Sequence, residues 1–277
     1  MLNSLLALVA ALCLQETPAA QDPAAPSAPA VEAAAPTETD PSVRAFLIEA
    51  ESHLYDPQAA GLSSVEFDVA VTHPAFGTLG NAHVNWTSTG GMVVNVTPAE
   101  SSQFPAETIQ GVGQQMGSQF LGYMLNKPIS PMLEGSVASM AGVEGGLVKV
   151  KFTNPEAMAQ GLKEQALFFD DEGMLKRMAM ATEMQGQSIT MVQFFEWKPV
   201  AEGRDVYIAD SQRTETTMDT PMGPMKVPGS VAFTYVTVGD LVVATSVSTT
   251  QDVPMQGKMT QTLAATNLKV NGQPVGG

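Results

Sequence analysis

Apolar and polar residues alternate one by one along many segments of this chain. In the first such segment every second residue is apolar, namely Val65, Phe67, Val69 and Val71. A period of two is typical of a β-strand with one buried face. Later segments repeat the pattern across short turns such as Asp171-Glu172-Gly173. Since strands and helices do not alternate regularly, the sequence predicts an antiparallel meander of about ten strands and argues against a parallel Rossmann-type sheet.

Two segments have the period of a helix instead. The first begins at Asp40-Pro41-Ser42, where a capping side chain and a first-turn proline favour a helix start. The second covers residues 105–125, and its apolar stripe consists of Ile109, Val112, Met116, Phe120 and Met124. The other face of that segment carries Gln and Ser and no charge beyond Glu107. We expect this helix to pack on a curved sheet, either as a fixed plug or as a lid that opens. The predicted fold class is α+β, mostly antiparallel β, with two or three helices.

The N-terminal region indicates export. An apolar run from Leu5 to Leu14 precedes an Ala/Pro-rich stretch, and the first basic residue is Arg44. We predict a signal peptide at residues 1–20, a disordered linker at residues 21–41 and a folded domain at residues 42–277. Cleavage near Pro18-Ala19-Ala20 is the favoured outcome. Two alternatives stay open: lipidation of Cys13, which the large Leu12 opposes, and an uncleaved N-terminus that tethers the protein to a membrane. The expected location is the periplasm or the cell envelope.

Charge and chemistry exclude several classes of function. The net charge is −15, which repels phosphate backbones, so we expect no nucleic-acid partner. The three histidines lack the spacing of a common metal motif, although His73 and His83 could meet near Asp68 or Glu66 if the first two strands pair. No Gly-x-Ser-x-Gly motif is present. We therefore expect a monomer that is not an enzyme and has no catalytic residues, metal or cofactor.

The chain is rich in methionine, with 17 residues. Five lie close together in the first of two groups: Met174, Met178, Met180, Met184 and Met191. The second group is Met218, Met222, Met225, Met255 and Met259. Three interpretations remain open: an ordinary core, the lining of an apolar cavity for acyl chains, or a thioether site for copper(I).

Two further segments carry a family resemblance. A helix that ends at Leu54-Tyr55 is followed by GLSSVEFDV (residues 61–69), and a later hairpin reads FDDEGMLKR (residues 169–177). In outline, residues 42–270 resemble the LolA/LolB-like superfamily of outer-membrane lipoprotein-sorting factors. The resemblance implies an unclosed, curved half-barrel sheet whose hydrophobic concave face is covered by helices. It also implies that this face binds lipoprotein acyl chains or other lipids.

The sequence thus predicts an extracytoplasmic, non-catalytic binding protein for a hydrophobic ligand, either a small molecule or a lipid or lipoprotein acyl chain. The alternative is a structural or adaptor protein of the cell envelope, with a filled core, no ligand and envelope proteins as partners. Helices around residues 42–55 and 105–125 would cover the cavity. The residues predicted to line it are Val69, Val71, Trp86, Val94, Met116, Phe120, Met178, Met180, Met191 and Phe194.

Overall fold

The computed structural model describes most of the chain after the predicted linker. The described ranges are residues 38–73, 76–100, 102–125, 128–184, 186–202, 205–220, 223–254 and 257–275. The predicted signal peptide at residues 1–20, and the predicted linker up to residue 37, lie outside the described residues.

The helices lie near the beginning and in the first half of the described chain. They are α1 (Pro41–Ser52), α2 (Ala106–Leu125), α3 (Ser130–Leu133) and α4 (Pro155–Ala159). Helix α1 begins where the sequence predicts. Asp40 is its N-cap, and one carboxylate oxygen accepts a hydrogen bond from the backbone N–H of Ser42 at 2.8 Å. This bond satisfies a donor that has no partner within the helix.

The strands form the larger part of the fold. They are β1 (Ser64–His73), β2 (Gly77–Thr87), β3 (Gly91–Pro98), β4 (Val137–Glu144), β5 (Leu147–Thr153), β6 (Leu162–Phe169), β7 (Leu175–Met184), β8 (Gln187–Pro199), β9 (Tyr207–Thr220), β10 (Gly223–Val238), β11 (Leu241–Val253), β12 (Gly257–Val270) and β13 (Gln273–Pro274).

All thirteen described strands belong to one antiparallel sheet. Its order is β3-β2-β1-β12-β11-β10-β9-β8-β7-β6-β5-β4, and β13 pairs with β12. The sheet is unclosed, with β3 and β4 as its edges, so the predicted class of a mostly antiparallel, open sheet with helices is confirmed. The last long strand returns to lie beside the first, because β12 pairs with both β11 and β1.

The predicted number of about ten strands is too low. The two strands that the sequence pattern does not indicate are β4 and β13. In β4 the register shifts between Met140 and Val143, and most side chains of this edge strand are exposed. A bulge and an exposed edge both remove the period-two signal on which a strand prediction depends.

Helix α2 packs closely on β1, β2 and β3 at one end of the sheet. Gly113 and Gly117 allow this approach, since an added Cβ would lie 2.7 Å from a Val96 methyl group and 2.8 Å from a Val84 methyl group respectively. The Phe120 ring meets the edge of Phe67 at a centroid distance of 5.3 Å. We call the buried residues joined here the α2 cluster; its main members are Phe67, Val69, Val71, Val84, Trp86, Ile109, Met116, Phe120, Leu121 and Met124.

Helix α1 covers the other end of the same sheet face. Phe46 contacts Phe169 in an edge-to-face arrangement with centroids 5.0 Å apart. We call the buried residues gathered here the α1 cluster; its main members are Val43, Leu47, Ala50, Phe152, Leu167, Phe169, Leu175 and Phe195. Because α1 packs on one end of the sheet face and α2 on the other, the middle of this face remains open between the two helices.

Candidate functional site

A cavity of about 410 Å³ lies between the α1 cluster and the α2 cluster. Its walls are the second half of α2, the segment around α3, and the inner faces of β6 to β10. Cavities of about 300–1,000 Å³ are the usual size of small-molecule sites. This cavity is the candidate site of the protein.

Aromatic rings form much of the wall. Phe195 and Trp197 are stacked, with centroids 5.6 Å apart and planes 8° from parallel. The Trp197 indole N–H is held by the backbone carbonyl of Leu175. Tyr123 of α2 meets Phe233 of β10 edge-to-face at 5.4 Å. Rings fixed in this way present a large apolar area at little entropic cost.

Aliphatic and methionine side chains complete the apolar part. They project from the inner sheet face and from α3, and they are Met132, Leu167, Leu175, Met178, Met191 and Val231. Methionine is unbranched and polarisable, so it adapts to irregular apolar partners. A wall of this composition fits a flexible hydrocarbon chain or a planar apolar molecule.

The polar part of the wall is uncharged. It consists of Ser118, Gln119, Ser136, Gln165, Gln193 and Gln212. Among the described residues no Asp, Glu, Lys, Arg or His lines the cavity, in a chain with 41 acidic and basic residues (28 + 13). An unpaired charge is costly in such a place, so the lining is suited to a neutral group.

The two tyrosines of the wall remain neutral at physiological pH. Burial raises the pKa of Tyr123 above its ordinary value, opposed weakly by a hydrogen bond with Gln119. Burial also raises the pKa of Tyr235, and the nearby negative charge of Asp210 adds to the effect. The Tyr235 hydroxyl donates to the carbonyl oxygen of Ala209 at 2.8 Å. The cavity wall therefore carries no ionised tyrosine.

The uncharged polar face of α2 forms part of the cavity wall. Its Ser118 and Gln119 lie at the cavity, and the Gln119 amide donates to the Tyr123 hydroxyl at 3.3 Å. The opposite, apolar stripe of the helix is buried in the α2 cluster. The helix is thus a plug on β1 to β3 and, along its other side, a wall of the cavity.

The ten residues predicted to line a cavity fall in four different places. Met178 and Met191 line it. Six others lie in or against the α2 cluster, where the helix leaves no room beside the sheet: Val69, Val71, Trp86, Val94, Met116 and Phe120. Met180 is buried opposite Met191 on the neighbouring strand but does not reach the cavity. Phe194 lies on the other face of the sheet, where the Arg213 guanidinium is 4.3 Å from the centre of its ring.

The period of β8 carries a signal that the prediction did not use. Met191, Gln193, Phe195 and Trp197 all line the cavity, whereas Phe194 between them does not. Successive side chains of a strand point to opposite faces. Choosing Met191 therefore implies Gln193 and Phe195, and argues against Phe194.

The histidines do not meet. His83 pairs with Asp68 across β1 and β2, and its Nδ1 lies 2.8 Å from a carboxylate oxygen of Asp68. His73 lies five residues beyond Asp68 along β1, and therefore about 17 Å from the Asp68–His83 pair. Its ring centroid is 4.8 Å from that of Phe76. The described residues contain no group of three or more His, Cys, Asp or Glu placed to hold a metal.

One acidic side chain joins helix α1 to the start of α3. Glu51, in the last turn of α1, accepts hydrogen bonds from the backbone N–H groups of Ile129 and Ser130 at 3.1 and 2.8 Å. Its second carboxylate oxygen accepts from the Ser130 hydroxyl. These bonds hold α3, and with it Met132 of the cavity wall, against α1.

Replacing Glu51 with Ala is expected to lower the free energy of unfolding by about 2 kcal/mol, because three hydrogen bonds to a charged acceptor are lost. Urea titration followed by far-UV circular dichroism measures the change. Glu49→Ala removes an exposed carboxylate from the same helix, and we expect a change within about 0.5 kcal/mol. Equal effects of the two substitutions would contradict the role of Glu51 in holding α3 against α1.

Comparisons with known proteins identify no family or relative for this chain. Neither protein families, nor curated sequences, nor solved structures give a match to this chain. Within the described ranges, every helix is too short or too polar to span a bilayer. The resemblance to lipoprotein-sorting factors stays a prediction.

Proposed function

We propose that the protein is a non-catalytic binding protein for a hydrophobic ligand, namely a lipid or an acyl chain. The observation that carries this proposal is the cavity between the α1 and α2 clusters, about 410 Å³ in volume and lined by methionine, aromatic and uncharged polar side chains. Each methylene group that leaves water on entering such a cavity contributes about 0.8 kcal/mol.

The sequence resemblance to the LolA/LolB-like superfamily points to the same ligand class, because that family binds acyl chains on the covered face of an open sheet. The N-terminal segment supports a location outside the cytoplasm, in the periplasm or the cell envelope. In this proposal the apolar part of the ligand lies in the cavity, against its methionine and aromatic wall. It changes no covalent bond of the ligand.

Binding is tested with the neutral fluorescent probe N-phenyl-1-naphthylamine on the full-length chain after bound lipid has been removed. We expect one probe per protein, displaced by 1-alkanols. Their affinity should rise by up to about fourfold per methylene, the equivalent of 0.8 kcal/mol, and level off when the cavity is full. Absence of uptake by folded protein would overturn the proposal and favour the alternative of an envelope adaptor without a ligand.

A matched pair of substitutions locates the site. Met178→Trp enlarges a side chain that lines the cavity and should weaken probe binding at least about tenfold, because the indole takes up part of the volume that the probe needs. Met158→Trp changes a half-exposed methionine on α4 and should leave binding unchanged. Thermal unfolding of both variants checks that each is folded. Equal loss or equal retention in the two variants would contradict the cavity as the site.

Export is tested by native mass spectrometry of protein taken without detergent from the envelope fraction of its own cells. We expect a mass that lacks residues 1–20 and an additional mass that is lost on organic extraction. A full-length mass in the cytoplasmic fraction would overturn the proposed location and leave the binding experiments unaffected.

A further inference from the structure

Two glutamines on the inner face of the sheet are not accounted for by a purely apolar ligand. Gln193 of β8 and Gln212 of β9 both line the cavity. Gln212 is only 9% exposed. Among the described residues neither amide is hydrogen-bonded to another side chain or to the backbone, and neither counts among the fully buried polar atoms, so both amides are open to the cavity. A ligand that displaces water from these amides without pairing with them costs about 1–3 kcal/mol per amide.

The strand register brings the two amides together. Phe195 is directly opposite Gln212, and Thr214 is directly opposite Gln193. The two glutamines are therefore diagonal neighbours on adjacent strands, a separation that long side chains span easily. Each amide offers two N–H donors and one carbonyl acceptor. Together they present donors and acceptors at one place on an otherwise apolar wall.

A neutral ligand group can satisfy the hydrogen-bonding capacity of both glutamine amides, whereas a charged group cannot. A carboxylate can accept from the glutamine N–H groups but leaves both glutamine carbonyls without a donor. No basic residue among the described ones lines the cavity to balance its charge. An amide both donates and accepts, so it pairs with both functions of glutamine at no cost in charge burial.

We infer that the cavity recognises an acyl amide, with Gln193 and Gln212 hydrogen-bonded to the amide group and the methionine and aromatic wall against the hydrocarbon chain. This inference rests on the proposed function. The amide can belong to an N-acylated lipid or to a free acyl amide, since the chemistry in the cavity is the same.

The test is displacement of N-phenyl-1-naphthylamine from the full-length chain by dodecanamide and by dodecanoate at pH 8, below their aggregation concentrations. We expect dodecanamide to bind about tenfold more tightly. A free N-acyl amine and an N-acylated phospholipid in place of dodecanamide distinguish the two sources of the group. This comparison needs no variant, so it decides the inference whether or not a variant folds.

The double variant Gln193→Met/Gln212→Met keeps the side-chain length and removes the amides. We expect the ratio of its affinities for dodecanamide and dodecanoate, about ten in the wild-type protein, to fall to about one. Gln251→Met is the matched control, because Gln251 is also buried in the sheet but does not line the cavity. It should retain the preference.

The outcomes separate the two proposals. If the wild-type protein takes up no probe, the proposed function fails and the inference fails with it. If probe is taken up but dodecanoate binds as tightly as dodecanamide, the inference alone is overturned. A preference that survives in the double variant, or disappears in Gln251→Met, would also overturn the role of Gln193 and Gln212.

Discussion

Replacing Phe120 with Ala is expected to lower the free energy of unfolding by about 4 kcal/mol. The Phe120 ring is fully buried in the α2 cluster and packs edge-to-face against Phe67 of β1. Its removal takes away the transfer free energy of a phenyl group and leaves a hole between α2 and the sheet. The neighbouring backbone is fixed by strand pairing on one side and by the helix on the other, so the hole cannot collapse fully.

Urea titration with far-UV circular dichroism and tryptophan fluorescence measures this change. The matched control is Phe76→Ala, since the Phe76 ring is 59% exposed and its ring contacts are with His73 and Phe104. We expect the control to cost less than about 1 kcal/mol. A loss below about 1 kcal/mol for Phe120→Ala would contradict the packing of α2 on β1 described above.

A leucine in place of Gly113 is expected to cost about 3 kcal/mol, through overpacking rather than loss of contacts. An added Cβ at this position would meet both methyl groups of Val96, at 2.7 and 2.8 Å, and one of Val71 at 3.2 Å. A side chain as large as leucine must therefore push α2 away from β1 and β3. Because the same helix forms a wall of the cavity, we also expect probe binding to weaken.

Gly111→Leu provides the matched control on the same helix. No atom lies within 4 Å of a Cβ built at Gly111, and leucine has the higher helix propensity, so this variant should gain up to about 1 kcal/mol. Equilibrium unfolding of the two variants gives changes of opposite sign if α2 lies as described. Two changes of the same sign and size would show that the helix does not approach the sheet closely at Gly113.

Local pattern was sufficient to predict much of the fold. The alternation in Val65 to Val71 marks β1, and the capping signal at Asp40 marks the start of α1. These features depend on neighbours in sequence. The strand β4 was not predictable in the same way, because its bulge and exposed edge hide the alternation.

The position of the cavity depends on contacts between distant parts of the chain. The predicted lining combined residues of β1 to β3 and α2 with residues of β7 and β8, as though all of them faced one open space. The structure separates them, since α2 fills the space over β1 to β3 while the inner face of β6 to β10 remains partly open. The small residues Gly113 and Gly117 decide how closely the helix approaches, and their partners are not visible in a single sequence.

The sequence does contain an indication of the polar part of the cavity wall. Gln193 occupies an inward position between Met191 and Phe195 on the apolar face of a strand. A polar residue at a core position is unusual unless it has a partner or a ligand. The choice of apolar residues alone, without attention to their period, passed over Gln193 and included Phe194.

The pairing of β12 with β1 has a consequence for how the protein reaches its native state. The strands β1 to β3, which hold α2 in place, join the rest of the sheet through β12, about 200 residues later in the chain, as in the Val69–Ala265 pair. Contacts of such sequence separation form late and slowly, since a long loop must close first. The two walls of the cavity therefore reach their final spacing only after β12 has been synthesised and has paired with β1. A chain interrupted before β12 would lack the strand that holds the two walls of the cavity together.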